Sequence, residues 1–262
     1  MKLSPRLIEP IANVTLLLHF ARKDVRGIMF LKEFRSRINK EFNNEHHRHE
    51  WISKKLGSLE AGTSILDAGA GSQQYKEYCA HLNYTSQDFD SYSLDESKSL
   101  TSSDTPYKYG KTDIVSEIWD IPRDDRSYDA VLCSEVLEHI PYPVRTISEL
   151  SRLLKPGGLL ILTAPSNCLR HFDPYFFSSG FSDRWYSRIL PENGLEVLSC
   201  DAVGDYYSWL KVEMFRTLLV NRSNPVAILA ILPAMFWFRR QRKSDTSQAT
   251  LCMGYHVVAR KV

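Results

Sequence analysis

"ILDAGAGSQQY", residues 65–75, is the stretch on which the fold of this chain turns. An apolar run closes on Asp67 and is followed by Gly69 and Gly71, one residue apart. A strand running straight into a glycine-rich turn and then a helix is how α/β folds bring backbone N–H groups up to a nucleotide-like ligand. A dinucleotide fingerprint would want a third glycine at position 74, where Gln74 stands. Asp67 suits a ligand with a cationic end, because a carboxylate there can orient the glycine loop and face an amino group directly or through water. Asp88, nineteen residues after Gly69 and at the end of the next strand, is placed to accept both hydroxyls of a ribose.

Outward from this corner, short apolar runs alternate with amphipathic stretches. "SILDAGA" (64–70), "NYTSQDF" (83–89), "KTDIV" (111–115), "YDAVLCS" (128–134) and "GLLILTA" (158–164) read as strands. Val144, Ile147, Leu150, Leu153 and Leu154 recur at helical spacing and are stopped by "KPGG". This β-α-β alternation predicts a parallel sheet with helices on both faces. Residues 1–58 read as a helical N-terminal extension, its last part the charged, His-rich "NNEHHRHEW", and residues 59–262 as the main domain. Residues 91–106 are Ser- and Asp-rich and read as a surface loop, residues 206–243 as a helical insertion, and "LCMGYHVVARKV" as a final strand. The 262 residues suit one decorated α/β domain rather than two full ones. Basic and acidic residues, 33 against 31, nearly cancel, so charge suggests no nucleic-acid partner. Cys79, Cys133, Cys168, Cys200 and Cys252 are odd in number and lack C-x-x-C pairing, which indicates neither a disulfide framework nor a zinc site. The apolar tract at the N-terminus is broken by Glu9 and Pro10 and is poor as a signal peptide, so a cytoplasmic setting is expected.

"ILDAGAG", "SQDF", "DIVSEIWDIP", "SYDAVLCSEVLEHI" and "ELSRLLKPGGLLILTAP", in this order and spacing, resemble class I S-adenosylmethionine-dependent methyltransferases of the small-molecule branch. The likeness covers about residues 60–202 and extends through "TAPSNCLRHFDPYFFSSGFSDRW" (163–185) to bacterial methyltransferases of surface-polysaccharide pathways. It implies a Rossmann-like doubly wound sheet, mostly parallel with an antiparallel last strand, with helical additions at both ends. It implies S-adenosyl-L-methionine as cofactor, with Asp67, Gly69 and Gly71 around its methionine part and Asp88 on the ribose. Phe89 would lie beside the adenine, Glu117 would accept from its amino group, Ile118 would pack on the ring, and Ser134 would lie by the methionyl chain. Two departures stand out: Gln73 replaces the third glycine of the usual D-x-G-x-G-x-G, and Glu117 is one methylene longer than the usual Asp.

Glu135, Glu138 and His139 form an E-x-x-E-H string that resembles the divalent-metal site of some O-methyltransferases; the expectation here is no metal, the string simply opening the helix after the fourth strand. His139 is the nearest candidate general base and His171 competes for the role, since an imidazole can be neutral at pH 7 and take a hydroxyl proton. "NPVAILAILPAMFWFRRQRK" (224–243) is too short for a membrane span and reads either as a cap helix over the acceptor pocket or as an interfacial helix with a basic flank. The expected function is methyl transfer to an acceptor oxygen of a small molecule or saccharide, possible acceptors including lipid-linked ones, with peripheral membrane contact through about 225–243 as an option. The alternative is a non-catalytic module of the same fold that serves protein or membrane association.

Overall fold

The computed structural model describes residues 44–90, 110–221, 224–241 and 244–262. The expected loop at 91–106 and most of the expected helical extension lie outside the described residues. Helix α1, Asn44–Gly57, buries Ile52 and Leu56 one turn apart. They pack on Ile65, Ala130, Leu132 and Ile161. The compact unit therefore runs from Asn44 to Val262, and α1 is one of its layers, so the boundary expected at 58/59 falls inside it.

The strands are β1 (Ser64–Ala68), β2 (Asn83–Asp88), β3 (Ile114–Val115), β4 (Tyr128–Ser134), β5 (Leu154–Pro165), β6 (Leu195–Val203) and β7 (Gly254–Lys261). They form one sheet in the order β3-β2-β1-β4-β5-β7-β6, with β7 antiparallel to both neighbours and the other pairings parallel. Side chains alternate across a strand, so Ile65, Ala130, Leu132 and Ile161 face the α1 layer. Leu66, Ala68, Val131, Cys133, Leu160 and Leu162 face the opposite core. Both faces are covered, which is why these strands read as unbroken apolar runs.

On the second face lie α2 (Pro143–Leu153) and α3 (Asp183–Glu192), which bury Ile147, Leu150, Tyr186 and Leu190. Two sequence expectations need correction here. Val144 is exposed rather than part of the buried stripe, and "KPGG" lies within the extended start of β5, since Leu154 already pairs with Tyr128. The pairing then shifts register between Tyr128 and Ala130, a bulge that accommodates the two glycines. The helical insertion consists of α4 (Tyr206–Val220) and α5 (Pro225–Arg239), followed by the short α6 (Asp245–Thr250). Strand order reverses between β1 and β4, and a crevice outside the carboxyl ends of the strands is expected there.

Candidate active site

β1 enters the switch point and turns at Gly69, whose φ of +74° is open to glycine and costly for other residues. A Cβ on Gly69 would also stand 2.5 Å from Val136 Cγ2, so the loop passes close against the segment that follows β4. The Gly69 and Ala70 N–H groups both donate to the Gln87 carbonyl at 2.9 Å, and Gly71 N–H donates to Asp88 Oδ2 at 2.8 Å. The loop is thereby tied to the end of β2. Gln73 adopts φ +57°, the conformation that explains a glycine at this place in the resembled motif. Its side chain donates to Ser86 Oγ at 3.1 Å and to the Lys111 carbonyl at 2.7 Å, giving this position an anchoring role no glycine could supply.

A cavity of about 830 Å³ opens at this edge. Of the cofactor residues expected from sequence, Gly69, Asp88, Phe89, Glu117, Ile118 and Ser134 line it, as do His139 and His171. Asp67 and Gly71 are not among the lining residues. The strand's alternation turns Asp67 to the same face as Ile65, where it accepts from the Tyr84 hydroxyl at 2.7 Å. Burial pushes its carboxyl up to about 6. Asp67 is thus held against Tyr84 of β2 and is not among the residues that line the cavity. Burial also raises the Asp88 carboxyl, against the N–H groups that it accepts from.

Three features of the cavity were not anticipated. Arg48 and Glu45 of α1 line it, and Arg48 pairs with Glu135 at 2.9 Å. Arg48, Ile52 and Leu56 recur every fourth residue, so the stripe that anchors α1 also carries Arg48 to the cavity. That spacing was readable in "NNEHHRHEWISKKL" (43–56) but was overshadowed by its charge. Trp119, after Ile118, lines the wall and stacks edge-on with Tyr142 at 5.2 Å.

"EVLEH" is not the start of a helix. Glu135 sits at φ +54°, Leu137–His139 make a single 3-10 turn, and α2 begins only at Pro143. Glu135 consequently turns to Arg48, whereas one ligand atom each from Glu138, His139 and His171 lie within 4.8 Å of one another. His139 Nδ1 lies 2.6 Å from the Tyr175 carbonyl oxygen, which fixes Nδ1 as the protonated nitrogen and leaves Nε2 with its lone pair. Burial lowers the His139 imidazole to about 4, so it is neutral at pH 7. Glu138 is buried, its Oε2 has no hydrogen-bond partner, and burial, then the nearby Glu135, raises its carboxyl well above the usual range.

The loop after β5 supplies the far wall through His171, Phe172, Tyr175 and Phe177. Phe176 is not among the lining residues, and Asp173 accepts from Arg170 Nε at 2.7 Å. Phe89 meets Tyr175 edge-on at 5.1 Å, joining the end of β2 to this loop across the cavity.

Residues 66–162 match the family model of a methyltransferase domain. Among similar proteins is the ubiquinone biosynthesis O-methyltransferase of Dechloromonas aromatica, 33% identical over 132 residues, which are 48% of this chain and 55% of that protein. Its counterpart from Leptothrix cholodnii is 31% identical over 120 residues, 44% of this chain and 49% of that one. The chain thus spans about half the length of the curated relatives it matches. A solved structure assigned as a sarcosine dimethylglycine methyltransferase from Galdieria sulphuraria superposes with a TM-score of 0.50 at 18% identity, over 82% of this chain and 85% of that one, a likeness of fold. The Rossmann-like sheet and the S-adenosyl-L-methionine cofactor expected from the motifs stand with these findings. None of these names bears on surface polysaccharides.

The residues present fit that cofactor. A buried carboxylate ends β2, Phe89 and Ile118 give apolar surface, and Gly69 and Ala70 line the same cavity as Arg48, Glu45 and Glu135, a mixed set suited to an amino-acid zwitterion.

Proposed function

We propose that this chain is an S-adenosylmethionine-dependent methyltransferase that moves a methyl group to an acceptor oxygen of a small molecule or saccharide. The observation that carries this beyond a cofactor-binding scaffold is His139, a neutral imidazole lining the cavity whose Nε2 keeps its lone pair, 3.7 Å from Glu138 Oε1, while Nδ1 is held by the Tyr175 carbonyl. When bound, the cofactor supplies an electrophilic methyl on sulfur. The chain's part is to align and desolvate the partners. Asp88 holds the ribose, Phe89 and Ile118 clasp the adenine with Glu117 at its amino edge, and Gly69 with Ser134 borders the methionyl chain. Arg48 faces the cofactor's carboxylate. His139 takes the acceptor's hydroxyl proton, and His171, Phe172, Tyr175 and Phe177 offer the acceptor flat apolar surface with a polar edge. The O-methyltransferase names of the relatives support oxygen as the methylated atom.

The test is a screen with radiolabelled S-adenosylmethionine over glycans, lipid-linked sugars and phenols, repeated with His139→Ala. Turnover lost by the variant while cofactor affinity stays near wild type supports the reading. A protein that binds cofactor and methylates nothing is the non-catalytic module.

A second reading has a divalent cation at Glu138, His139 and His171, favoured by the unpartnered Glu138 Oε2. A metal-bound histidine also donates its other nitrogen to a carbonyl, as His139 does. With His139 as base, EDTA leaves turnover unchanged. Loss of turnover restored by magnesium would make the three residues ligands.

A further inference from the structure

The α4–α5 hairpin lies outside this chemistry. α5 reads "PVAILAILPAMFWFR", with no charged residue before Arg239. Helices packed on a domain bury their apolar stripe, yet here Val226, Leu229 and Trp237 are 73%, 61% and 57% exposed. Ala230 and Pro233 are exposed as well. Positions 226, 229, 230, 233 and 237 recur at helical spacing, so they form one uncovered apolar face along the whole helix. Met235, by contrast, is buried. Val220 at the end of α4 is exposed beside this face in sequence.

We propose that this face of α5 is a monotopic membrane anchor that docks on an anionic lipid bilayer. The choice of occupant rests on charge and length. The helix ends on Arg239, and in the sequence Arg240, Gln241, Arg242 and Lys243 follow, four cations in five residues after a stretch with no charge. An apolar face with a cationic end suits the boundary between acyl chains and acidic headgroups. No described helix is long and apolar enough to cross a membrane, so the helix lies in the surface rather than through it. The anchor leaves the sheet at the edge that bears the cavity. Val203, the last residue of β6, pairs with Gly254, which pairs with Pro165, and Pro165 opens the loop that forms the cavity's far wall. Docking would hold that edge near the lipid.

The test is co-sedimentation of the full chain with phosphatidylcholine vesicles and with vesicles containing one quarter phosphatidylglycerol. The wild type should pellet with the acidic vesicles, and about 0.5 M salt should weaken binding because it screens the cationic end. A triple variant, Val226→Glu, Leu229→Glu and Trp237→Glu, should lose binding about tenfold or more while its cofactor affinity is unchanged, which also shows that it is folded. Failure of the wild type to bind acidic vesicles at low salt overturns the proposal, as does equal binding by the triple variant. A wild-type dimer in sedimentation velocity that the triple variant abolishes, with no vesicle binding, would assign the face to a second copy instead.

Discussion

Asp88 joins two tasks, since it ties the glycine loop through Gly71 and offers its carboxylate to the cavity. Hydrogen bonds to a charged group are worth about 1.5–3 kcal/mol each, so Asp88→Ala should weaken S-adenosylmethionine binding about tenfold to a hundredfold by calorimetry. An unchanged affinity would remove it from the ribose role. For His139 the discriminating measurement is pH. A depressed imidazole stays neutral, and thus a base, until pH falls to about 4, so the acid limb of kcat/KM should lie near there. A limb in the ordinary histidine range, near about 6.5, would point to another group. His139→Ala should lower kcat by about a hundredfold or more. Asp67 shows where reading residues one at a time stops: the motif marks it, but the strand's pleat turns it onto Tyr84, and pleat phase relative to a loop is set by pairing partners far away in sequence.

At the scale of elements, the alternating strands, the glycine turn after β1 and the cavity-lining residues at the ends of β2 and β4 were legible because period and turn chemistry are local. The 3-10 turn at Leu137–His139 was not, because the left-handed Glu135 is stabilised by its pairing with Arg48 from α1. Nor was α1 as a layer, since its burial depends on the sheet face it covers. The loop after β5 carries the next prediction. Gly180 has φ +149°, and a Cβ there would collide with the Ser166 backbone where the loop leaves β5. Backbone cannot yield as a side-chain tip can. Gly180→Ala should therefore raise KM for the acceptor several-fold and leave cofactor affinity within about twofold. An unchanged acceptor KM would show that this loop does not shape the acceptor wall.

At the scale of the whole molecule, ligand and fold are linked by mass action. The demethylated cofactor product at about a hundred times its Kd adds about 2.7 kcal/mol to stability. For a chain of this size that is a rise of about 5–10 °C in Tm, read by differential scanning fluorimetry. The absence of any rise, with NADH raising Tm instead, would overturn the cofactor assignment. The position of β7 has a consequence in time. β5 and β6 never touch as strands; β7 lies between them, with Val257 and Ala259 fully buried, although it follows β5 by some ninety residues of chain. While the protein is being synthesised, β1 to β5 can pair as they emerge, but β6 has nothing to join and β5 shows a bare edge until β7 arrives. Through that interval the nascent chain presents the bare edge of β5, the unpaired β6 and the apolar α5 together. Its vulnerability to aggregation is therefore concentrated before the last strand closes the gap.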